Sequence, residues 1–155
     1  MTLELNNVLP ASAADTAMCN GTAVSATIHS GEALLVEAPE GWGKTVLART
    51  LLGMWPLAEG CVSIDAEPVT SRSATWLRQF TGYVPQQQPE DVPSVFVQLD
   101  ELRVSDKHII ILDTPTALED PYEQEQLREI VGSLQQAGKT VVWLRRGEEF
   151  KLEML

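Results

Sequence analysis

The sequence has few cysteines and histidines, and it has no long apolar run. Only two cysteines, Cys19 and Cys61, and two histidines occur in 155 residues, and the cysteines form no CxxC pair. A disulfide framework or a zinc site is therefore not expected, and both thiols should be reduced. The longest strongly apolar run, HIIILD, is too short to cross a bilayer. We therefore expect no direct membrane insertion.

Basic residues are also scarce. The chain has 11 Lys and Arg residues against 22 Asp and Glu residues, which gives a net charge of −11. Nucleic-acid binding is disfavoured because it relies on many cations that neutralise phosphates. An anionic ligand would have to be attracted by a local arrangement of positive charge, because the net negative charge of the protein repels it. The first residues, MTLELNN, lack the charged and apolar regions of a signal peptide, so we expect a cytoplasmic protein.

The chain does have the composition of one packed domain, predicted over residues 1–155. Hydrophobic residues make up 44% of it. Apolar runs typical of strands alternate with helical patterns, which predicts an α/β fold with a mainly parallel sheet. We expect residues 10–21 to form an exposed connection. The predicted strands include EALLVEA, CVSID, TGYVP, HIIILD, KTVVWL and a last edge strand within EEFKLEML, and the predicted helices include KTVLARTLLGM, VFVQLDELRV and the segment from Pro121 to Gly138.

The segment APEGWGKT, residues 38–45, has the sequence of a phosphate-binding loop. It follows a predicted strand and precedes a predicted helix, which is the context such a loop needs. The backbone N–H groups of Gly41 to Thr45 would then face phosphate oxygens at a helix N-terminus. Lys44 would reach the β- and γ-phosphates, and the Thr45 hydroxyl would ligate Mg²⁺. Trp42 is bulky, and we expect its side chain to face outward.

Two residues of this segment oppose phosphate binding. Ala38 replaces the first glycine of the usual pattern, and Glu40 introduces a carboxylate. A carboxylate a few ångströms from a phosphate costs on the order of 1–4 kcal/mol at intermediate dielectric. Solvent screening removes most of that cost if Glu40 points outward. A vestigial loop, kept only because it joins strand to helix, is the alternative interpretation.

A second acidic position follows the buried strand HIIILD. Asp113 ends this strand, and open α/β sheets place their ligands at the carboxyl ends of strands. An aspartate there can hold Mg²⁺ through water. The alternative is an aspartate that caps a turn before Pro115.

Four successive segments resemble the ATPase domain of ABC transporters. GEALLVEAPEGWGKTVLARTLLGMWPLAEGCVSID resembles its first half, GYVPQQ its glutamine loop, LDTPTALEDP its acidic strand and D-loop, and GKTVVWLRR its switch strand. The resemblance implies a P-loop NTPase-like fold that binds ATP and Mg²⁺. It also implies that Gln86 senses Mg²⁺ and the attacking water and that Asp113 supports the metal. The implied nucleotide contacts are Gly41, Trp42, Gly43, Lys44, Thr45 and Gln86, and the implied metal ligands are Thr45, Gln86 and Asp113.

The chain departs from this family at the positions that carry catalysis. Thr114 stands where the family has the glutamate that polarises water, and Arg146 stands at the position of the switch histidine. Residues 1–41 contain no aromatic residue to stack on adenine, and only 27 positions separate Gln86 from Asp113. The helical subdomain with its LSGGQ signature is therefore missing. Loss of a general base costs about 10²–10⁴ in rate, so poor hydrolysis is expected, and no residue is predicted to be catalytic.

These features predict an ABC-type accessory subunit that binds nucleotide weakly and hydrolyses it poorly or not at all alone. By the resemblance, it would associate with itself or with other ABC components at the inner membrane. Arg146 could offset the charge of Glu40, or Arg145 and Arg146 could be a solvated pair at a strand end.

A small-molecule or nucleoside kinase is a weaker hypothesis. Such enzymes usually need a lid with several phosphate-binding arginines, and only Arg72 and Arg78 lie in the middle of this chain.

The alternative function is a non-catalytic adaptor that uses the same fold for protein contacts. Loss of the helical subdomain would uncover an apolar surface at Val95, Phe96, Val97 and Leu99, and exposed apolar patches often mark protein contacts. The other possibility is that these four residues pack back into the shortened core.

Overall fold

The computed structural model describes residues 1–13, 15–115 and 118–155. Two sheets and four α-helices account for most of these residues, which confirms the predicted α/β class. The strands are β1 (Leu3–Pro10), β2 (Val24–Ile28), β3 (Ala33–Ala38), β4 (Leu57–Ile64), β5 (Glu67–Pro68), β6 (Thr81–Val84), β7 (Ile109–Asp113), β8 (Thr140–Arg146) and β9 (Lys151–Met154). The helices are α1 (Lys44–Leu51), α2 (Ala74–Leu77), α3 (Val95–Arg103) and α4 (Pro121–Gln136), and 3-10 turns span Met18–Gly21 and Arg78–Phe80.

The larger sheet has the strand order β6-β7-β8-β3-β9. Strands β6, β7, β8 and β3 run parallel, and β9 pairs with β3 in the antiparallel direction, as the prediction of an edge strand requires. Strand β8 lies between β7 and β3, so the carboxyl ends of all three strands meet at one edge of the sheet. This edge carries the candidate site.

The three central strands of this sheet, β7, β8 and β3, are buried on both faces, and successive side chains point to opposite faces. In β7, Ile109 and Ile111 belong to one hydrophobic cluster, whereas Ile110 and Leu112 belong to the other. The first cluster packs the sheet against α1 and the second sheet, and the second cluster packs it against α3 and α4. Burial on both faces explains why these strands read as continuous apolar runs.

Helix α4 begins and ends where its sequence predicts. The side chain of Asp120 accepts a hydrogen bond from the backbone N–H of Glu123, and Pro121 occupies the first helical turn. Gly138, with a φ of 81°, ends the segment in the left-handed region.

None of the helices in the described part of the chain combines the length and the apolar content that a membrane span requires.

Helix α3 contains the four apolar residues that the adaptor hypothesis placed on an exposed surface. Val95 and Leu99 are buried in the cluster shared with α4, and Phe96 packs against that cluster. Only Val97 remains strongly exposed, at 47%. The segment therefore packs back into the shortened core, and little of the expected apolar surface is left.

The second sheet, of order β2-β1-β4-β5, is antiparallel and contains a bulge. The pairing of β1 with β4 shifts between Asn6 and Leu9, and Asn7 has a positive φ of 49°. Gly60, with a φ of 85°, lies opposite this bulge, and a Cβ atom there would collide with the carbonyl oxygens of Asn6 and Asn7. Only glycine fits at position 60.

We expect Gly60→Ala to lower the free energy of unfolding by roughly 2–3 kcal/mol, because it combines a backbone clash with a strained φ. Gly132→Ala is the matched control. Gly132 lies within α4, and a methyl group at this position would meet open space, so alanine should stabilise the helix by about 0.5–1 kcal/mol. Urea unfolding followed by circular dichroism measures the change in the free energy of unfolding of each variant. Equal stabilities of the two variants would contradict the role given to Gly60.

Candidate functional site

The phosphate loop lies at the carboxyl end of β3, where the chain turns into α1. Gly41 and Gly43 have positive φ angles of 83° and 112°, which residues with a side chain reach only with strain. This turn allows α1 to begin at Lys44. The first N–H groups of a helix lack intrahelical partners and carry partial positive charge, so this end of α1 attracts anions.

The Lys44 side chain is held against the loop that precedes it. Its Nζ donates hydrogen bonds to the carbonyl oxygens of Ala38, at 2.9 Å, and Pro39, at 3.0 Å. An ammonium group has three N–H donors, so one remains for a phosphate oxygen. Burial lowers the pKa of Lys44 from its ordinary value, and the negative charge of Asp113 opposes this effect.

Thr45 connects the loop to two other segments of the sheet edge. Its Oγ1 donates a hydrogen bond of 2.6 Å to Oδ2 of Asp113 and lies 3.4 Å from Oε1 of Gln86. All three residues that the resemblance implies as metal ligands are therefore brought together.

The chemistry of this group fits Mg²⁺. Hydroxyl, amide and carboxylate oxygens are hard ligands, and Mg²⁺ is usually held by one or two carboxylates together with phosphates and water. Asp113 Oδ1 is buried and has no hydrogen-bond partner, so it is free to accept one from a metal-bound water. The described residues contain no group of three or more His, Cys, Asp or Glu side chains that could hold a metal. Phosphate and water would have to complete the coordination.

Asp113 is fully buried, and its ionisation reflects this. Burial raises the pKa of its carboxyl group above the ordinary value, whereas the hydrogen bond from Thr45 and the charges of Lys44 and Arg49 lower it. The charged form is therefore destabilised in the protein without a cation beside it.

Trp42 does not face outward, and the expectation for it is wrong. The side chain is only 8% exposed and stacks on Phe150, with ring centroids 4.9 Å apart and planes 10° apart. Its backbone N–H donates to the carbonyl of Pro39 at 3.1 Å, so this amide closes the turn and is not directed at a phosphate. Trp42 therefore supports the loop from inside.

Sequence reasoning also missed a contact from the 3-10 turn Met18–Gly21. The backbone N–H of Cys19 donates to the carbonyl of Trp42 at 2.8 Å, and Cys19 is fully buried. A Cβ atom on Gly43 would lie 3.1 Å from the nitrogen of Cys19, so glycine permits the two segments to pack closely. The prediction that residues 10–21 form an exposed connection is wrong for Pro10, the buried last residue of β1, and for Cys19. For Cys19, the high burial frequency of free cysteine was the available signal.

A cavity of about 430 Å³ adjoins the phosphate loop. It is formed by the loop and the first turn of α1, with Gln86 and Gln87 on one side and Met18 on another. None of the described residues that line it is aromatic, which agrees with the absence of an aromatic residue in the first 41 positions. Met18 contributes a flexible apolar side chain to the lining.

Thr114 follows Asp113 and is buried beside the indole ring of Trp143. Its Oγ1 accepts a hydrogen bond of 2.8 Å from Nε1 of the fully buried Trp143. The guanidinium of Arg145 lies over the same ring, 5.1 Å from its centroid, and forms an ion pair of 3.2 Å with Glu37. A hydroxyl in this setting cannot serve as a base near neutral pH. Arg145 is also not the solvated residue considered as an alternative.

Arg146 lies between two carboxylates at the edge of the site. Its Nη1 is 3.7 Å from Oε2 of Glu40 and 3.6 Å from Oε2 of Glu119. The Glu40 side chain is 74% exposed, so solvent and Arg146 both weaken its repulsion of an anion. The structure thus places Arg146 where it can offset Glu40.

Comparisons with known proteins agree on one family. The family described as ABC transporter matches residues 22–146. Among solved structures, an ABC transporter ATP-binding protein from Pyrococcus furiosus superposes with a TM-score of 0.74 and 17% identity, covering 96% of this chain and 92% of that one. The cbiO1 protein of Clostridium perfringens, part of the cbiONQ complex, gives a TM-score of 0.70 and 17% identity, covering 95% and 78%.

Curated relatives are similar over shorter stretches. The iron-sulfur clusters transporter ATM1 of Candida albicans is 26% identical over 137 residues, 84% of this chain and 17% of that protein. The type I secretion system ATP-binding protein PrsD of Rhizobium meliloti is 36% identical over 63 residues, 41% of this chain and 11% of that protein. The chain thus spans less than a fifth of the length of either relative.

We expect Asp113→Asn to stabilise the protein in the absence of divalent metal. A carboxyl group whose pKa is raised on folding contributes most when protonated, and this contribution is lost as pH rises through the raised pKa. Asparagine removes the buried charge and can still accept the Thr45 hydrogen bond. Urea unfolding at pH 7 in EDTA should show a gain of about 0.5–2 kcal/mol that shrinks toward acidic pH. Asp100→Asn, at an exposed site paired with Arg103, is the control, and equal behaviour of both variants would contradict the burial argument.

The two thiols should differ sharply in reactivity. Burial raises the pKa of Cys19 to about 12, and the thiolate is the reactive form, whereas Cys61 is exposed. With Ellman's reagent at pH 8, one thiol per chain of the native protein should react quickly. In Cys61→Ser almost no thiol should react until guanidine is added. A rapid reaction of native Cys61→Ser would show that Cys19 is accessible.

Proposed function

The chain belongs to the ABC transporter family, and from that premise we propose that it is an accessory ATP-binding subunit. It would bind Mg-ATP weakly at the phosphate loop and hydrolyse it poorly or not at all by itself. One observation carries the proposal: the hydroxyl of Thr45, hydrogen-bonded to Asp113, lies beside Gln86 and next to a lysine with a donor to spare.

Phosphate binding would use groups that are already in place. The remaining N–H donor of Lys44 and the first backbone amides of α1, which lack intrahelical partners, would contact the phosphates. Thr45 and Asp113 would hold Mg²⁺, with Gln86 beside it. The bound ion would neutralise phosphate charge and help to orient the terminal phosphate. Asp113 Oδ1, buried without a partner, would gain one when the ion and its waters are bound.

Hydrolysis lacks a base at the position where the family has one. The Thr114 hydroxyl accepts its hydrogen bond from Trp143, so it is engaged by the core and cannot take a proton from water. Without a general base, a rate about 10²–10⁴ lower is expected. The proposal that other components of an ABC system complete the reaction follows from this deficit.

Affinity should be modest. The cavity offers Met18 instead of an aromatic ring, and base stacking on an aromatic side chain contributes roughly 1–3 kcal/mol. Glu40 also places a carboxylate within the loop. We therefore expect a Kd of about 0.1–1 mM, equivalent to about −5.5 to −4 kcal/mol.

The names of the relatives suggest where such a subunit would act. PrsD is an ATP-binding protein of a type I secretion system, and ATM1 is a transporter. By analogy, the present protein would pair with other transport components, or with itself, and be peripheral at the inner membrane. The complete assembly and its cargo lie outside this chain.

A non-catalytic adaptor is the second candidate, and one cavity favours it. About 420 Å³ of mostly apolar space lies beside Gln86, between Pro93, Phe96 and Leu118. A partner docked there would contact the protein next to the candidate metal site. Such binding would not depend on Lys44, which distinguishes the two functions.

Isothermal titration with Mg-ATP tests the proposal, with Lys44→Ala as the key variant. Wild type should bind at high protein concentration, and Lys44→Ala should bind at least about tenfold more weakly, a difference of about 1.4 kcal/mol. Lys107→Ala is the charge-matched control, because Lys107 precedes β7 and so lies at the opposite edge of the sheet. Its affinity should equal that of wild type.

Two outcomes would reject the accessory-subunit proposal. Equal binding by wild type and Lys44→Ala would show that the phosphate loop is not used and would favour the adaptor. Rapid ATP turnover by the purified wild type, lost in Lys44→Ala and therefore not due to a contaminant, would show that the chain needs no help in hydrolysis.

A further inference from the structure

Two stretches of the sequence contain no acidic residue although the chain as a whole is strongly acidic. All 22 Asp and Glu residues lie outside residues 41–58 and 68–89. The basic residues in these two stretches are Lys44, Arg49, Arg72 and Arg78. In a protein with a net charge of −11, the two stretches therefore concentrate positive charge locally.

Both stretches contribute to one surface groove, where the end of α1 meets the turn before α2. The groove has a volume of about 400 Å³ and is lined by residues 53–57, by residues 69–71 and by Thr50. None of the described lining residues carries a charge, and Met54 is 61% exposed. The groove shares no described lining residue with the cavity at the phosphate loop or with the cavity beside Gln86. It is thus a separate apolar site, of a size typical for ligand pockets.

The walls of this groove are held in place by contacts within the protein. A Cβ atom on Gly53 would lie 2.6 Å from the Cβ of Ala74, so glycine lets the end of α1 approach α2 closely. Nε1 of Trp55 donates a hydrogen bond of 3.0 Å to the carbonyl that follows β1. The backbone N–H of Thr70 donates to the hydroxyl of Ser73 at 2.9 Å. Because the groove is already formed, a ligand would bind without the cost of ordering it.

Two arginines flank the groove. Arg78 donates from Nη1 to the carbonyl of Leu52 at 2.9 Å, which fixes its guanidinium beside the end of α1. Arg72 is exposed and directly follows Ser71 of the groove lining. None of the ion pairs between described residues includes either arginine. Both charges are therefore available to carboxylates of a partner, which a guanidinium binds through paired hydrogen bonds.

We propose that this groove is a docking site for an acidic peptide segment of another protein. An apolar side chain of the segment fills the groove against Met54, and carboxylates on either side of it pair with Arg72 and Arg78. Methionine suits such a role because its flexible side chain adapts to the shape of a partner, and arginine and methionine are both enriched at protein interfaces. Docking at the groove does not depend on nucleotide binding.

Charge complementarity favours a short segment over the other possible occupants. An anionic membrane surface is flat and extended, so it would also approach the carboxylates that crowd the rest of the surface. A second copy of this chain would bring another net charge of −11. A short acidic segment meets only the groove and its arginines, and so avoids most of this repulsion.

Amide chemical shifts of the ¹⁵N-labelled protein test the proposal with a synthetic probe. The probe is a capped eight-residue peptide in which a central Leu-Phe pair is flanked on each side by three acidic residues. It should bind with a Kd of about 0.1–1 mM, and the shifted amides should cluster at residues 50–57 and 69–78. A peptide with lysine flanks and a peptide with a central Ser-Asn pair should each bind at least about fivefold more weakly.

Arg72→Gln and Met54→Ser separate the two contributions, and both side chains are exposed. Arg72→Gln should weaken binding of the acidic probe about twofold to fivefold. This loss should shrink as NaCl is raised from about 50 to about 500 mM, because salt screens exposed charges. Met54→Ser should weaken binding about threefold to tenfold at both salt concentrations, because the lost contact is apolar.

Lys151→Gln and Met154→Ser are the matched controls. Both residues are exposed on β9, and none of the described lining residues belongs to that strand. Their affinity for the probe should stay within about a factor of 1.5 of wild type. Unchanged amide spectra away from each substitution show that the fold is retained.

Several results would overturn the proposal. Equal binding of the acidic and the lysine-flanked peptides, or no shift at the groove amides, would do so, as would wild-type affinity in both Arg72→Gln and Met54→Ser. Binding to phosphatidylglycerol vesicles without a response to the acidic probe would identify a lipid surface instead. Self-association in sedimentation velocity that is lost in Arg72→Gln would identify a second copy. None of these results bears on Mg-ATP binding, which is tested separately with Lys44→Ala.

Discussion

The hydrogen bond from Thr45 to Asp113 is the constraint on which the site depends. It joins the first turn of α1 to the end of β7, although β8 separates β7 from the strand that precedes the loop. Because Asp113 is fully buried, water does not compete for this bond. The bond holds the loop and the acidic strand together, and Gln86 Oε1 lies 3.4 Å from the same hydroxyl. The oxygen atoms suited to a cation are therefore close together before any ligand binds.

The sequence predicted the half of the site that follows from strand order and local pattern. A strand, a glycine-containing loop and a helix could be located from residues 32–54 alone, and Asp113 was expected at the same edge because parallel strands end together. Contacts between distant residues could not be predicted in this way. Nothing near Trp42 in the sequence indicates Phe150 as its stacking partner, and nothing near Thr114 indicates Trp143. Both of these pairs decide what the site can do.

Threonine at position 114 is consistent with its surroundings. A glutamate at 114 would bring a second carboxyl group next to the buried Asp113, and buried charges without partners are strongly unfavourable. Threonine instead satisfies the N–H of the buried indole, a donor that normally requires a partner. The guanidinium of Arg145 lies over a face of that ring and pairs with Glu37. Threonine at position 114 and the packing around Trp143 are therefore parts of one local arrangement.

The phosphate loop is fastened from both ends of the chain. The backbone N–H of Cys19, in the N-terminal quarter of the sequence, donates a hydrogen bond to the carbonyl of Trp42. The ring of Phe150, near the other end of the sequence, stacks on the indole of Trp42. A loop ordered by such outside contacts has little conformational freedom left to lose when a ligand arrives, and preorganisation of this kind raises affinity for a given set of contacts. Removal of the segment that carries Cys19, or of the segment that carries Phe150, would thus be expected to weaken the anion binding proposed for this loop even with every residue from 38 to 45 intact.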